Sequence, residues 1–148
     1  MTRTVQNPTP NGQTDFETIH IKQDISARSQ TSFGSALLHE HMTVVLRLAS
    51  TGDAIPLETL NRVVIGRRET SGLQQVHVDL TPYHAREMGV SRRHAVIYRM
   101  KNSLFMEDLN SANGSYLNGQ RLVPGQPRLL RNGDELRLGK LCCYIEFT

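Results

Sequence analysis

Tryptophan is missing from this chain of 148 residues, and aromatic residues together make up only 5%. A base-stacking platform or a hydrophobic ligand pouch asks for more ring surface than that. Cysteine is almost as scarce: Cys142 and Cys143 are the only two. Neighbours on a strand point to opposite faces and are badly placed to bridge, so they read as reduced strand residues of an intracellular protein. No run of about 18 apolar residues is long enough to cross a bilayer. No basic-then-apolar leader opens the sequence, so the expected location is cytoplasmic, without a membrane partner. Excess charge is small, +3 net with pI ≈ 9.1. That falls short of the basic stripe that argues for nucleic acid, yet suits an anionic partner held by a few arginines. No base stands at a recognisable spacing from a nucleophile, so no enzyme is expected. The six histidines and the cysteine pair form no known ligand motif, so neither metal nor cofactor is expected.

What is present divides into two textures. Residues 1–38 are rich in Thr, Gln, Asn, Ser and Pro. The run Asn7-Pro8-Thr9-Pro10-Asn11-Gly12 cannot sustain helix or strand. Such a stretch buries too little to offset its ordering entropy, so a flexible, disordered tail is expected there. Phe16, Ile19, Ile21 and Ile25 are its apolar exceptions, and residues 36–41 have the pattern of a single helical turn. Residues 39–148 read as one folded domain of short β-type segments, placed at about 43–48, 63–66, 75–79, 94–99, 104–108, 115–117, 135–138 and 142–147. The pairs Asn118-Gly119 and Asn132-Gly133 predict tight hairpin turns. Many short strands without a long amphipathic helix give an all-β sandwich.

Three pieces carry the chemistry. Gly66-Arg67 follows the apolar run Val63-Val64-Ile65. Ser91-Arg92-Arg93-His94 follows a loop punctuated by Gly89. Asn113-Gly114-Ser115 sits within the polar stretch that runs on to Asn118-Gly119. A phosphomonoester brings nearly two negative charges and three acceptor oxygens. Gripping it calls for arginine forks and hydroxyl or amide donors, and these turns supply them if the sandwich gathers the loops at one edge. Taken singly, Arg67 also suits a rim salt bridge, Ser91 a turn cap, Arg92 a solvated charge and Asn113 a plain turn. Arg68 and Arg93 read as general positive field.

Taken in order, the pieces resemble the forkhead-associated (FHA) family of phosphothreonine-binding domains, in its small bacterial type. The pattern Gly-Arg, Ser-x-x-His, Asn-Gly-Ser, Asn-Gly, Gly-Asp and Leu-Gly is met by Gly66-Arg67, Ser91-x-x-His94, Asn113-Gly114-Ser115, Asn118-Gly119, Gly133-Asp134 and Leu138-Gly139. The match spans about residues 42–147. The resemblance implies a β-sandwich of two twisted, mainly antiparallel sheets. It also implies a non-catalytic module that reads phosphothreonine on partner proteins, those partners being a Ser/Thr protein kinase or its substrates. It assigns phosphate contact to Arg67 and Ser91, a further contribution to Arg92, and the ligand main chain to Asn113. Gly66, His94, Gly114 and Asn118 fall to structural support of the site.

Two departures stand out. Ala112 occupies a place where the family often has a threonine able to reach the phosphate, and the loop 81–90 is longer than usual. Ala112 is also the support for an alternative, a phosphorylation-independent FHA-like scaffold. Related bacterial members capture their own phosphorylated N-terminal threonine. Here Thr18, preceded by Asp15 and Glu17, and then Thr14 are the matching candidates. A flexible span of roughly 25–30 Å would allow the same capture.

Overall fold

The computed structural model describes residues 34–58, 61–70 and 75–148. Residues 1–33 of the expected tail, with Thr14 and Thr18, lie outside them. The described unit starts at Gly34 and its packing extends upstream of residue 39. Leu38 is fully buried, Gly34 N–H donates to Asn132 O, and Leu38 N–H donates to Asn102 O. No helical turn forms at 36–41; the segment runs without regular structure to a turn at Glu40 and His41. Leu38 is tied at both its N–H and its carbonyl to distant residues, Asn102 and Arg99, in place of a helical ladder.

Among the described residues eleven strands make two sheets. They are β1 Val44–Leu48, β2 Ala54–Pro56, β3 Val63–Gly66, β4 Val78–Asp79, β5 Ala95–Met100, β6 Ser103–Asp108, β7 Ser115–Leu117, β8 Gln120–Arg121, β9 Arg128–Leu130, β10 Glu135–Leu138 and β11 Leu141–Phe147. One sheet has the order β2-β1-β11-β10-β7-β8 and the other β4-β3-β5-β6-β9. All pairings are antiparallel except β3 with β4, which is parallel. The expected all-β sandwich is therefore the observed architecture. Among the described residues its one helical piece is a 3-10 turn at Thr81–Tyr83, where Pro82 pre-sets the backbone.

Period-2 burial builds the core. Strand β1 buries Val44, Leu46 and Leu48, while β11 alternates through seven residues. That alternation puts Cys143 inside and leaves Cys142 half-buried on the opposite face, both free thiols. Strand β3 is buried at every residue, as its continuous apolar run foretold. The sequence reading left out β2, β8 and β9. Each has only two or three residues, and of these only Leu130 is buried, so they are too short to show a period.

The two Asn-Gly pairs differ. Asn118-Gly119 makes the expected hairpin, with φ of 50° and 84° and Leu117 facing Gln120. Asn132-Gly133 instead carries the chain from β9 in one sheet to β10 in the other. Asn132 is taken up by Ser35, Gly34 and the N–H of Phe147, so its turn joins sheets rather than adjacent strands.

Strand direction gathers the loops of interest. Ile65 faces Ala95, so the end of β3 lies beside the start of β5. Ala95 also faces Asp108, the end of β6, and Ser115 at the start of β7 faces Leu138 at the end of β10. The segments carrying Arg67, Ser91, Asn113 and Gly139 thus emerge at one end of the strands. Among the described residues no helix is long and apolar enough to cross a membrane.

Candidate functional site

Arg67 stands one residue beyond β3 and is held on three sides. Its backbone N–H donates to Arg92 O at 3.2 Å, and its Nε donates to Val90 O at 2.8 Å. Its Nη1 lies 2.7 Å from Glu69 Oε2, a salt bridge in which the arginine side chain is 19% exposed and the glutamate 32%. The Val90 bond orients the planar fork rather than leaving it to swing. The salt bridge matches the rim reading of Arg67, and the side chain also lines a cavity.

Gly66 explains the register of this corner. A Cβ there would run into the carbonyl of Arg92, so only glycine lets the Ser91–Arg92 chain cross so near. Arg92 and Arg93 are exposed. The Arg92 carbonyl, not its guanidinium, makes the contact with Arg67.

Ser91 links two loops. Its Oγ accepts the N–H of Ala112 at 3.0 Å, which leaves the hydroxyl proton to donate. Its own N–H donates to His94 Nδ1 at 3.0 Å. With Nδ1 an acceptor, the proton sits on Nε2, 2.9 Å from Gly114 O. His94 is therefore a neutral, buried brace between the segments before β5 and before β7. Burial, the largest influence, keeps it below the ordinary imidazole range, partly offset by the Gly114 bond and by Asp108. Gly114, at φ 86°, takes a backbone conformation that a side chain would disfavour.

Asp108 is the support that sequence reasoning missed. It is buried, and its Oδ1 accepts both Ser111 Oγ and Ser115 Oγ at 2.6 Å. Its Oδ2 takes Ser111 N–H at 3.0 Å. Burial alone would raise its pKa. The Ser111 and Ser115 bonds, with His94 nearby, outweigh burial and hold it below the usual carboxylate value. An Asp followed three residues later by Ser is the local signal of such a side chain–backbone turn.

Asn113 is exposed and donates Nδ2 to Gly89 O at 3.0 Å, so it reaches the loop that leads to Ser91. That bond spends one of the amide's donors and leaves the rest of its hydrogen-bonding capacity for a main chain. Asn118 belongs elsewhere. It bonds Asp134 Oδ1 through Nδ2 and receives Glu135 N–H on Oδ1. Strand β7 separates it from Gly114, so its support goes to the far end of the sheet, a correction to its expected place beside the site.

Two cavities flank the loop 81–90. One of ≈ 360 Å³ is lined by Arg67, Arg68, Glu69, Thr81, His84 and Arg86, among others. The other, ≈ 370 Å³, is lined by Met88, Asn113, Tyr116, Arg137 and Lys140, and Glu87 borders both. The Arg137 guanidinium lies 3.9 Å from the centre of the Tyr116 ring and that of Arg121 5.8 Å, two cation–π contacts on one ring. Tyr116 faces outward because Ser115 and Leu117 on either side are buried, a deduction that the β7 alternation allowed. The long loop thus walls both cavities. Arg68 is less free than a field charge: its Nη2 donates to Val76 O at 2.7 Å. A further cavity, ≈ 540 Å³, is lined by Thr43 and Arg99, among others. It opens at the opposite end of the strands and includes none of the expected site residues.

The loops that carry Arg67, Ser91 and Asn113 leave the β-sandwich at one end of its strands, the layout of a loop-borne binding module. The FHA domain family model matches residues 63–139, just over half the chain, and the chain belongs to that family. A solved structure described as a structural and functional analysis of phosphothreonine-dependent FHA domain interactions is 30% identical. It covers 70% of this chain and 95% of its own, with TM-score 0.55. The FhaA FHA domain, solved in complex with the intracellular domain of Rv3910, is also 30% identical, covering 70% and 99%, with TM-score 0.55. Among curated proteins, Protein FraH of Nostoc sp. is 41% identical over 63 residues, 43% of this chain and 22% of FraH. The oxoglutarate dehydrogenase inhibitor of Corynebacterium diphtheriae is 39% identical over 54 residues, 36% of each chain. The matched region spans well under half the length of these curated relatives.

Proposed function

We propose that this protein is a non-catalytic module that binds phosphothreonine on partner proteins, which a Ser/Thr protein kinase either phosphorylates or is itself among. The observation that carries this reading is the arrangement of Arg67 and Ser91. The Arg67 fork is oriented by Val90 O. The Ser91 hydroxyl, tied to the Ala112 N–H, keeps its proton to donate. Phosphate is the ligand whose charge and acceptor count use both. Asn113 supplies main-chain contacts, and Arg92, exposed beside Ser91, adds a second cation at the rim. In this reading the protein works in the cytoplasm.

The test is capture of a degenerate phosphothreonine peptide library, with unphosphorylated and phosphoserine controls, by the wild type and by Arg67→Ala. Phosphothreonine-dependent capture that Arg67→Ala abolishes supports the reading. A folded wild type that captures nothing, even with residues before Ser35 deleted, removes it in favour of a scaffold.

The same site has a candidate ligand within the chain. Phosphorylation of Thr18, or of Thr14, would create a competitor present at an effective concentration near millimolar, and so close the module to partners. Protein phosphorylated at Thr18 that binds an external phosphopeptide as well as the unmodified form would dismiss this.

A further inference from the structure

Glu69 has no part in the family pattern, yet it holds the phosphate arginine. Its carboxylate is 2.7 Å from Arg67 Nη1, in a pair that solvent still reaches in part. Because Arg67 Nε is committed to Val90 O, the fork cannot turn away to escape that partner. Any anion that takes Arg67 Nη1 must displace or share it with Glu69. The surrounding charges are close to balanced: Arg67, Arg68 and Arg86 against Glu69 and Glu87 line the same cavity. Arg68 is tied to Val76 O and cannot replace Arg67.

Resting on the phosphothreonine reading above, we propose that Glu69 is a specificity-determining residue, an internal competitor that admits a phosphate to Arg67 and refuses a carboxylate. An incoming Asp or Glu side chain offers Arg67 the same chemistry it already has. Glu69, two residues along the chain, competes at an effective concentration of millimolar or above, so the exchange is unfavourable. A phosphothreonine brings nearly twice the charge and three acceptor oxygens. It can fill the fork and the Ser91 hydroxyl together, which one carboxylate held by Arg67 does not. Glu69 thus weakens every anion at Arg67, and a carboxylate, which starts with less charge and fewer acceptors, falls below a useful affinity first. The module distinguishes a phosphorylated threonine from an acidic residue in the same peptide context.

The test uses the full chain and the best-captured sequence from the phosphothreonine library in three forms: threonine, phosphothreonine and glutamate at the central position. Wild type, Glu69→Gln, Glu69→Ala and Glu87→Gln are titrated with each by fluorescence anisotropy, with thermal melts confirming the fold. Glu87→Gln changes net charge by the same amount without touching Arg67. The expected result is about a two- to fivefold gain in phosphothreonine affinity for both Glu69 variants, the size of an exposed ion pair. Binding of the glutamate peptide should become measurable, with a smaller change for Glu87→Gln. Glu69 variants that bind phosphothreonine equally or more weakly would overturn the proposal, making Glu69 a spectator or a positioning partner of Arg67. An equal gain from Glu87→Gln would also overturn it, by reducing the effect to net charge. A library that no variant captures would reject the phosphothreonine reading itself, which separates the two failures.

Discussion

The Oγ of Ser91 accepts the backbone N–H of Ala112 at 3.0 Å, which joins the loop before β5 to the loop after β6. The family's frequent threonine is absent at residue 112, yet the backbone there still locks onto the serine. Replacing Ala112 with threonine keeps the backbone bond and adds a hydroxyl at the rim. Ala112→Thr is therefore expected to tighten phosphothreonine peptides by about 1.5 kcal/mol, roughly tenfold, the lower end of a hydrogen bond to a charged group. Calorimetric titration decides it. An unchanged affinity means that residue 112 does not face the phosphate.

Ser91→Ala removes a donor and a cross-link at once. Peptide affinity should fall by about 10-fold or more. Stability should fall by only about 1 kcal/mol, because the exposed Ala112 N–H can turn to water. A variant that loses stability but keeps its affinity would make Ser91 a turn cap and nothing else.

Lysine cannot replace Arg67. It carries a point charge without the Nε–H that anchors the fork to Val90 O. Arg67→Lys should lose about 1.5–3 kcal/mol of phosphothreonine affinity, roughly 10- to 100-fold, with circular dichroism unchanged. Near-wild-type binding by the lysine variant would show that charge alone suffices.

His94 makes stability depend on pH in a defined direction. Its folded pKa is lowered, chiefly by burial, so below about pH 6.5 the unfolded chain takes up a proton that the folded chain refuses. Stability should fall as pH drops below that value, while above it this group contributes no pH dependence. Urea melts at pH 5, 6, 7 and 8 measure it. His94→Ala should start about 2–5 kcal/mol lower, with Ser91 N–H and Gly114 O left unpaired, and should lack this component of the fall.

Asp108 acts in a more acidic window. Its folded pKa lies below the ordinary carboxylate value, so its contribution is present above about pH 3.9 and is lost as pH falls through the folded value. Asp108→Asn should cost about 2 kcal/mol or more by weakening the Ser111 and Ser115 bonds, and should loosen Asn113 with them. Amide exchange at Ala112 to Gly114 reads the second effect. Unchanged protection there would separate Asp108 from the site.

The sequence by itself determined the family and most of the fold. Alternation in β1, β10 and β11 marks one buried face, and the continuous run Val63-Val64-Ile65 marks a strand covered on both. Gly66 and Asn118 declared themselves because a close crossing and a left-handed turn tolerate few residues. These are local demands of backbone sterics and burial, and local demands are written in order along the chain. Tertiary structure decided the rest. Only the strand register brings Glu87 and Arg86 to the cavity of Arg67, and only the sheet crossing at Asn132-Gly133 separates β9 from β10. Asn118 matched the motif as well as Gly114 did, yet β7 carries them to opposite ends. The contact of Glu69 with Arg67 is short in sequence but depends on Val90 O orienting the fork. Partnerships across a fold depend on distances that composition and spacing do not encode.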